Sequence, residues 1–158
     1  MGVDLHIIPS GFRNWSEAEW DAYFNRYPES VRLGKAGYVG RFTEAVMTML
    51  ENNQAGSRFP LLMRMHADEI VGWQPAEVPA LLRELQSVRD ELAKVAITLQ
   101  TLRVENEADL QEQLSIFRKY YPQHPLGTLA DFFFKFFDDF AALADTAIQC
   151  RMGLFVSY

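Results

Sequence analysis

Residues 128–150 read TLADFFFKFFDDFAALADTAIQC, and the spacing of their apolar side chains decides the fold that the sequence predicts. With a rotation of about 100° per residue, the apolar side chains of this segment lie on one face of a helix, as a core helix requires. The set comprises Leu129, Phe133, Phe136, Phe137, Phe140, Ala144 and Ala147. Thr128 suits the N-cap position, and Gly153 suits a turn into a closing strand over 154–157. We therefore expect a long C-terminal helix that packs on a sheet.

A second ridge of the same helix predicts partner binding. Asp131, Asp138 and Asp145 repeat every seven residues, and Phe134 lies beside them, away from the apolar face. If a loop or the preceding helix covers Phe134, the ridge is only a solvated acidic face. If Phe134 is open, an aromatic anchor among carboxylates fits an interface with a basic protein. We assign these four residues as the predicted partner-binding residues, with both interpretations open.

Periodicity along the rest of the chain predicts a mixed fold. Alternation of apolar and polar residues predicts a strand over 3–8, and residues rich in β-formers predict another over 97–104. A capping box at Ser16 and Glu19 predicts the start of a first helix, and an apolar stripe from Val78 to Val95 predicts a long one. Two more helices are expected over 41–52 and 106–120. Three short strands and four to five helices predict a single α+β domain over residues 1–158, with helices packed on a small, mostly antiparallel sheet.

Composition restricts the classes of partner. The chain has 158 residues, a net charge of -6 and a pI of about 5.0. Nucleic-acid binding requires a basic face, so this balance argues against it and favours a basic protein partner. The N-terminus lacks the basic and apolar pattern of a signal peptide, and no stretch has the length of a membrane span. We therefore expect a soluble cytoplasmic protein that does not enter a membrane.

Side chains suited to catalysis or metal binding are few and lie far apart in the sequence. Cys150, the single cysteine, is expected to be a buried, inert thiol in the last helix. His6, His66 and His124 are isolated, so neither a metal site nor a cofactor site is predicted. The nearest approach to acid/base chemistry is His66 with Asp68 and Glu69, and a small enzyme that uses these three residues is one alternative function.

The most distinctive motif is Gly56-Ser57-Arg58-Phe59-Pro60. Its glycine suits a turn, and its proline suits the first position of a helix. Arg58 is expected to hold carbonyl groups or a carboxylate with its fork of donors. The motif is thus predicted to be structural.

The order of elements around this motif resembles that of a known family. An Arg-x-Gly turn at Arg32–Gly34 leads to an amphipathic helix that ends at Asn52, and the pentapeptide is followed by a charged helix with ELQSVRDEL at 84–92. This order is similar to the immunity protein 70 family of bacterial polymorphic toxin systems. The resemblance implies an antidote that neutralises a cognate protein toxin by stoichiometric binding, without an active site. A structural homo-oligomer that pairs through its aromatic surfaces is a further alternative.

Overall fold

A four-stranded antiparallel sheet forms the centre of the protein in the computed structural model, which describes residues 2–26, 30–50, 57–67 and 71–158. Its strands are β1 (Gly2–Ile8), β2 (Ser30–Lys35), β3 (Val71–Trp73) and β4 (Gly153–Ser157). They lie in the order β2-β1-β4-β3, so the first and last strands of the chain are neighbours in the middle of the sheet.

Seven α-helices lie within these described ranges. They are α1 (Glu17–Arg26), α2 (Ala36–Met49), α3 (Arg64–Ala67), α4 (Val78–Leu92), α5 (Glu107–Tyr120), α6 (Leu129–Phe132) and α7 (Phe134–Cys150). The α+β class, with helices packed on an antiparallel sheet, is confirmed. In the described part of the chain, no helix has the length and apolar character needed to cross a bilayer.

The two faces of the sheet bury different clusters. On one face, alternate side chains of β1 (Val3, Leu5 and Ile7) join the main core with helices α2, α4 and α7. On the other face, Ile8 packs with Phe12 and Tyr23 under α1. The hydroxyl of Tyr23 donates a hydrogen bond to the carbonyl of Ile7, which ties α1 to β1. Because successive side chains of a strand point to opposite faces of the sheet, the alternation predicted for residues 3–8 places β1 between two cores.

The apolar face predicted for the C-terminal segment is confirmed. All seven predicted core side chains, from Leu129 to Ala147, are at most 1% exposed. The helix is not continuous, however, because the backbone departs from helical geometry at Phe133 between α6 and α7. The prediction of a buried Cys150 is wrong, since Cys150 is exposed one turn beyond the last buried position, Ala147.

The turn after α7 differs from the predicted one. Arg151 adopts the left-handed conformation (φ 56°), while Gly153 is already the first residue of β4. A Cβ atom at Gly153 would lie 2.2 Å from the carbonyl oxygen of Trp73. Glycine is therefore required at this position by the close approach of β3.

The strand predicted over 97–104 is wrong. The segment forms successive turns, with only an isolated bridge between Ala96 and Thr128. The hydroxyl groups of Thr98 and Thr101 each accept a hydrogen bond from the backbone N–H of the other residue, at 3.1 and 2.8 Å. These local bonds compete with strand pairing, which explains why β-forming residues did not produce a strand here.

The region around Gly34 also differs from expectation. Residues 32–34 belong to strand β2 rather than to a turn, and α2 begins at Ala36 rather than at residue 41. Gly34 has φ 148°, and a Cβ atom there would meet the ring of Tyr38 at 2.6 Å. A glycine in an edge strand therefore allows α2 to begin directly against β2. The predicted end of this helix, residues 51–52, lies outside the described residues.

The capping box that begins α1 is confirmed. Ser16 N–H donates to the carboxylate of Glu19 at 2.6 Å, and Glu19 N–H donates to the Ser16 hydroxyl at 3.3 Å. The sequence also predicts a buried aromatic face for this helix, made of Trp20, Tyr23, Phe24 and Tyr27. This burial is only partly found, because Tyr23 is buried whereas Phe24 is exposed. Pro28 is predicted to end this helix, and residues 27–29 lie outside the described residues.

Candidate partner-binding surface

The pentapeptide is held by α4. The Arg58 guanidinium donates two hydrogen bonds to the carboxylate of Glu91, one of them at 3.1 Å. The same guanidinium lies 5.0 Å from the ring centre of Phe59, which is buried in the main core. Ser57 and Pro60 are exposed, and Gly56 lies outside the described residues. These contacts hold Arg58 against α4 and Phe59 in the main core.

A second carboxylate of α4 caps the turn that follows the motif. Glu84 accepts hydrogen bonds from the backbone N–H groups of Leu61, at 3.1 Å, and of Leu62, at 3.4 Å. Burial raises the pKa of the Glu84 carboxyl, although these hydrogen bonds act in the opposite direction. Trp73 completes the connection by donating its indole N–H to the Leu61 carbonyl at 2.8 Å.

A second ion pair, between Arg64 and Glu77, fixes strand β3 at the edge of the sheet. Arg64 donates to both carboxylate oxygens of Glu77, at 3.1 and 2.5 Å, and also to the carbonyl of Gly72 at 3.0 Å. The hydrogen bond from Arg64 lowers the pKa of Glu77 below its ordinary value. Arg13 donates to the same Gly72 carbonyl at 3.3 Å. This acceptor of an edge strand is thereby occupied, which discourages pairing with another chain.

Of the predicted ridge residues, Asp131 is engaged within the fold. Its carboxylate accepts hydrogen bonds from the backbone N–H groups of Gly127 and Thr128, at 2.9 and 3.0 Å. The Thr128 hydroxyl accepts from the Asp131 N–H in return, which completes a capping box at α6. Burial opposes ionisation of Asp131, but the hydrogen bonds that the carboxylate accepts outweigh it and lower its pKa.

Phe134 is half-buried by aromatic neighbours. Its ring stacks on the imidazole of His124, with 3.7 Å between centres and 16° between planes. The rings of Tyr121 and Phe117 meet it edge-on at 5.0 and 5.8 Å. The end of α5 and the loop after it therefore cover part of the Phe134 ring, which packs against the edge of the main core.

The two remaining ridge residues differ in their partners. Asp138 forms an ion pair with Arg89 of α4 at 2.8 Å, and the Arg89 guanidinium also lies 5.4 Å from the ring centre of Phe137. Asp145 is exposed, and none of the ion pairs found among the described residues includes it. Asp145 is thus the ridge carboxylate most available to a partner.

An open groove of about 330 Å³ lies beside this ridge. It separates α4 from the loop that precedes α6. Its polar lining side chains are those of Gln86, Arg89, Asp90, His124, Thr128 and Asp131, and the ring of Phe134 lies in the same lining. Asp90 accepts a hydrogen bond from the Gln86 amide at 3.0 Å, and none of the ion pairs found among the described residues includes it. The groove therefore places free carboxylate charge next to the aromatic ring of Phe134.

A sequence model of a protein family, immunity protein 70, matches residues 20–136. The chain belongs to the immunity protein 70 family. The match runs from α1 to the start of α7, so it includes the described pentapeptide residues and the groove. No curated protein and no solved structure is significantly similar to the chain.

The family match covers only part of the predicted partner-binding site of this immunity protein 70 member. Asp131 and Phe134 lie inside the matched residues, whereas Asp138 and Asp145 lie beyond them. Sequence reasoning missed Arg89, Asp90 and His124, which line the same groove. Arg89 and Asp90 lie on α4, and His124 lies in the loop between α5 and α6. The helical periodicity of residues 128–150 therefore contains no signal that connects them to α7.

Of the three residues of the alternative enzyme function, the structure describes only His66. His66 is exposed in the last turns before β3, and Asp68 and Glu69 lie outside the described residues. His6 bonds to the hydroxyl of Ser157 on the sheet, far from His124 in the groove. Within the described ranges, no group of three metal-binding side chains is close enough to hold an ion.

Proposed function

We propose that this chain is the antidote of a bacterial polymorphic toxin system and neutralises its cognate toxin in the cytoplasm by stoichiometric binding. Membership of the immunity protein 70 family carries the proposal. The net charge of -6 supports a toxin with a basic contact surface, because complementary charge speeds the encounter of two proteins.

The proposed contact surface is the ridge of α6 and α7 together with the adjoining groove. Asp145 and Asp90 supply carboxylates without a paired cation in the described structure, and Phe134 supplies a half-buried aromatic ring between them and α5. Partly buried aromatic residues ringed by polar groups are a common composition of binding hot spots.

Co-expression with the toxin encoded beside this gene tests the function. Growth should be restored only when the chain is at least as abundant as the toxin, because each bound copy silences one toxin molecule. Protection at a small fraction of the toxin concentration would instead indicate an enzyme. Cell death despite abundant, folded antidote would refute toxin neutralisation, and an unrelated acidic protein at equal abundance serves as the control.

Substitutions on the ridge test the contact surface separately. Asp145→Lys should slow association with the purified toxin, and the defect should shrink as salt rises because the charge is screened. The matched control is Asp21→Lys, which reverses an exposed carboxylate on α1, across the sheet from the main core. Equal association rates for the two variants would remove Asp145 from the proposed surface.

Phe134→Ala needs two measurements. The stacked contact with His124 contributes to the fold, so the melting temperature should decrease. If the ring also contacts the toxin, the affinity of the folded variant should fall as well. Unchanged affinity would show that Phe134 only supports the loop after α5.

A light-scattering measurement tests the homo-oligomer that the aromatic surfaces suggested. A monomeric mass at high protein concentration is expected if these surfaces serve the toxin instead. A stable dimer that the toxin does not dissociate would favour the structural alternative.

A further inference from the structure

Helix α5 exposes two large apolar side chains on one flank. Ile116 is 46% exposed and Tyr120, one turn later, is 67% exposed. Only two other large hydrophobic side chains of the described ranges are exposed, Phe24 and Tyr158. The adjoining side of α5 buries Leu110 and Phe117, so the helix is attached to the core by side chains other than the exposed pair.

The same flank carries acidic side chains. Helical spacing places Asp109, Glu112 and Gln113 in line with Ile116 and Tyr120, because residues three and four apart are neighbours on a helix surface. Neither Asp109 nor Glu112 takes part in an ion pair found in the described ranges.

One cation lies beside this flank. Lys119 follows Ile116 by three residues, and its ammonium comes within 5.8 Å of the Tyr120 ring centre, whereas Arg118 extends from another face of the helix. We call Asp109, Glu112, Gln113, Ile116 and Tyr120 the α5 flank.

Aromatic contacts join the α5 flank to the ridge. The ring of Tyr121 lies 6.5 Å from that of Tyr120 and 5.0 Å from that of Phe134. The exposed tyrosine therefore continues, through one half-buried neighbour, into the surface already proposed to contact the toxin. A single partner seated on Phe134 would reach Tyr120 without a change in the fold.

We infer that the α5 flank is the apolar anchor of the toxin interface, with Tyr120 and Ile116 inserted into a recess whose rim is basic. This inference rests on the proposed function and specifies the partner's chemistry. A second copy of this chain fits the flank poorly, because two flanks with unpaired carboxylates would repel each other across an interface. A basic toxin surface both neutralises Asp109 and Glu112 and covers the exposed pair.

Alanine variants test the anchor. Tyr120→Ala should weaken binding of the toxin encoded beside this gene by roughly tenfold or more, as expected for a buried interface tyrosine. Its melting temperature should remain close to that of the wild type, because Tyr120 is mostly exposed. Phe24→Ala is the control, since it removes an exposed aromatic ring from α1, which packs on the opposite face of the sheet.

Charge reversal tests the rim. Glu112→Lys should lower the association rate at low salt, and the difference from the wild type should shrink as salt rises. Asp21→Lys on α1 is again the matched control and should associate as the wild type does.

The outcomes separate this inference from the function on which it rests. If Tyr120→Ala and Glu112→Lys bind the toxin as tightly and as rapidly as the wild type, which itself protects cells, the anchor is refuted and toxin neutralisation stands. If the wild-type chain neither binds nor protects, both proposals fail. If Tyr120→Ala loses binding while folded and Phe24→Ala does not, the anchor is supported.

Discussion

Asp131 shows how one carboxylate can join a loop to a helix. Its carboxylate accepts from two backbone N–H groups at the end of the loop, and its own backbone N–H donates to the Thr128 hydroxyl at the start of α6. Its pKa lies below the ordinary value of 3.8, so the folded state favours the ionised form. The stabilisation is therefore complete above that value and is lost as the pH falls below it.

Asp131→Asn tests this pH dependence. The amide keeps an acceptor oxygen for the capping bonds but has no charge to titrate. The difference in free energy of unfolding between wild type and variant should therefore narrow as the pH falls below about 4. Urea denaturation across this range measures it, and a constant difference would show that the Asp131 charge does not stabilise α6.

Phe137 is the residue at which the core should be most sensitive. Its side chain is 1% exposed and meets the ring of Phe42 at 5.4 Å between centres. Phe137→Ala should leave a cavity and cost roughly 3–5 kcal/mol of stability. Phe137→Leu should cost less because it keeps most of the volume. Thermal unfolding of both variants measures the difference, and an unchanged melting temperature for Phe137→Ala would contradict the packing described.

At the scale of elements, α4 joins the pentapeptide to the core. Its inner face buries Leu81, Leu85 and Val88, while Glu84 and Glu91 hold the chain around Phe59. The two carboxylates are separated by seven residues, which is two helical turns, so they contact consecutive parts of the same segment. One helix thereby fixes both the motif and the turn after it.

Glu84→Ala tests the capping role of α4. Removing the carboxylate leaves two backbone N–H groups without an acceptor, at a cost of roughly 1–3 kcal/mol. Glu84→Gln keeps an acceptor oxygen and removes a partly buried charge, so its stability should stay nearer the wild type. Chemical denaturation compares the three proteins. Equal stability of the alanine and glutamine variants would indicate that water replaces Glu84 at the turn.

Helices marked by a cap or an apolar stripe, and strands β1 and β4, could be predicted from the sequence, whereas strands β2 and β3 could not. The Ser16 capping box and the apolar stripe of α4 depend on residues three and four apart. Strand β3 has only three residues, and its pairing with β4 depends on a segment more than eighty residues later. The groove likewise combines α4, the loop at His124 and the start of α7, which no local pattern relates.

At the scale of the whole molecule, the ends of the chain form the middle of the sheet. β1 pairs with β2 on one side and with β4 on the other, and β3 pairs with β4. The matched residues 20–136 contain only the edge strands β2 and β3, together with helices α2 to α6. The part of the chain that carries the family match therefore lacks both central strands and nearly all of α7.

A fragment of residues 20–136 should consequently fail to fold alone. Without β1 and β4 the two edge strands have no partner, and isolated strands are not stable in water. The loss of α7 also exposes the face of α4 and α2 that Phe137 and Phe140 cover. Circular dichroism should show no cooperative unfolding transition, whereas the full chain should show one. A cooperative transition in the fragment would mean that α2, α4 and α5 form a core of their own, and the sheet would then be an addition to that core instead of its foundation.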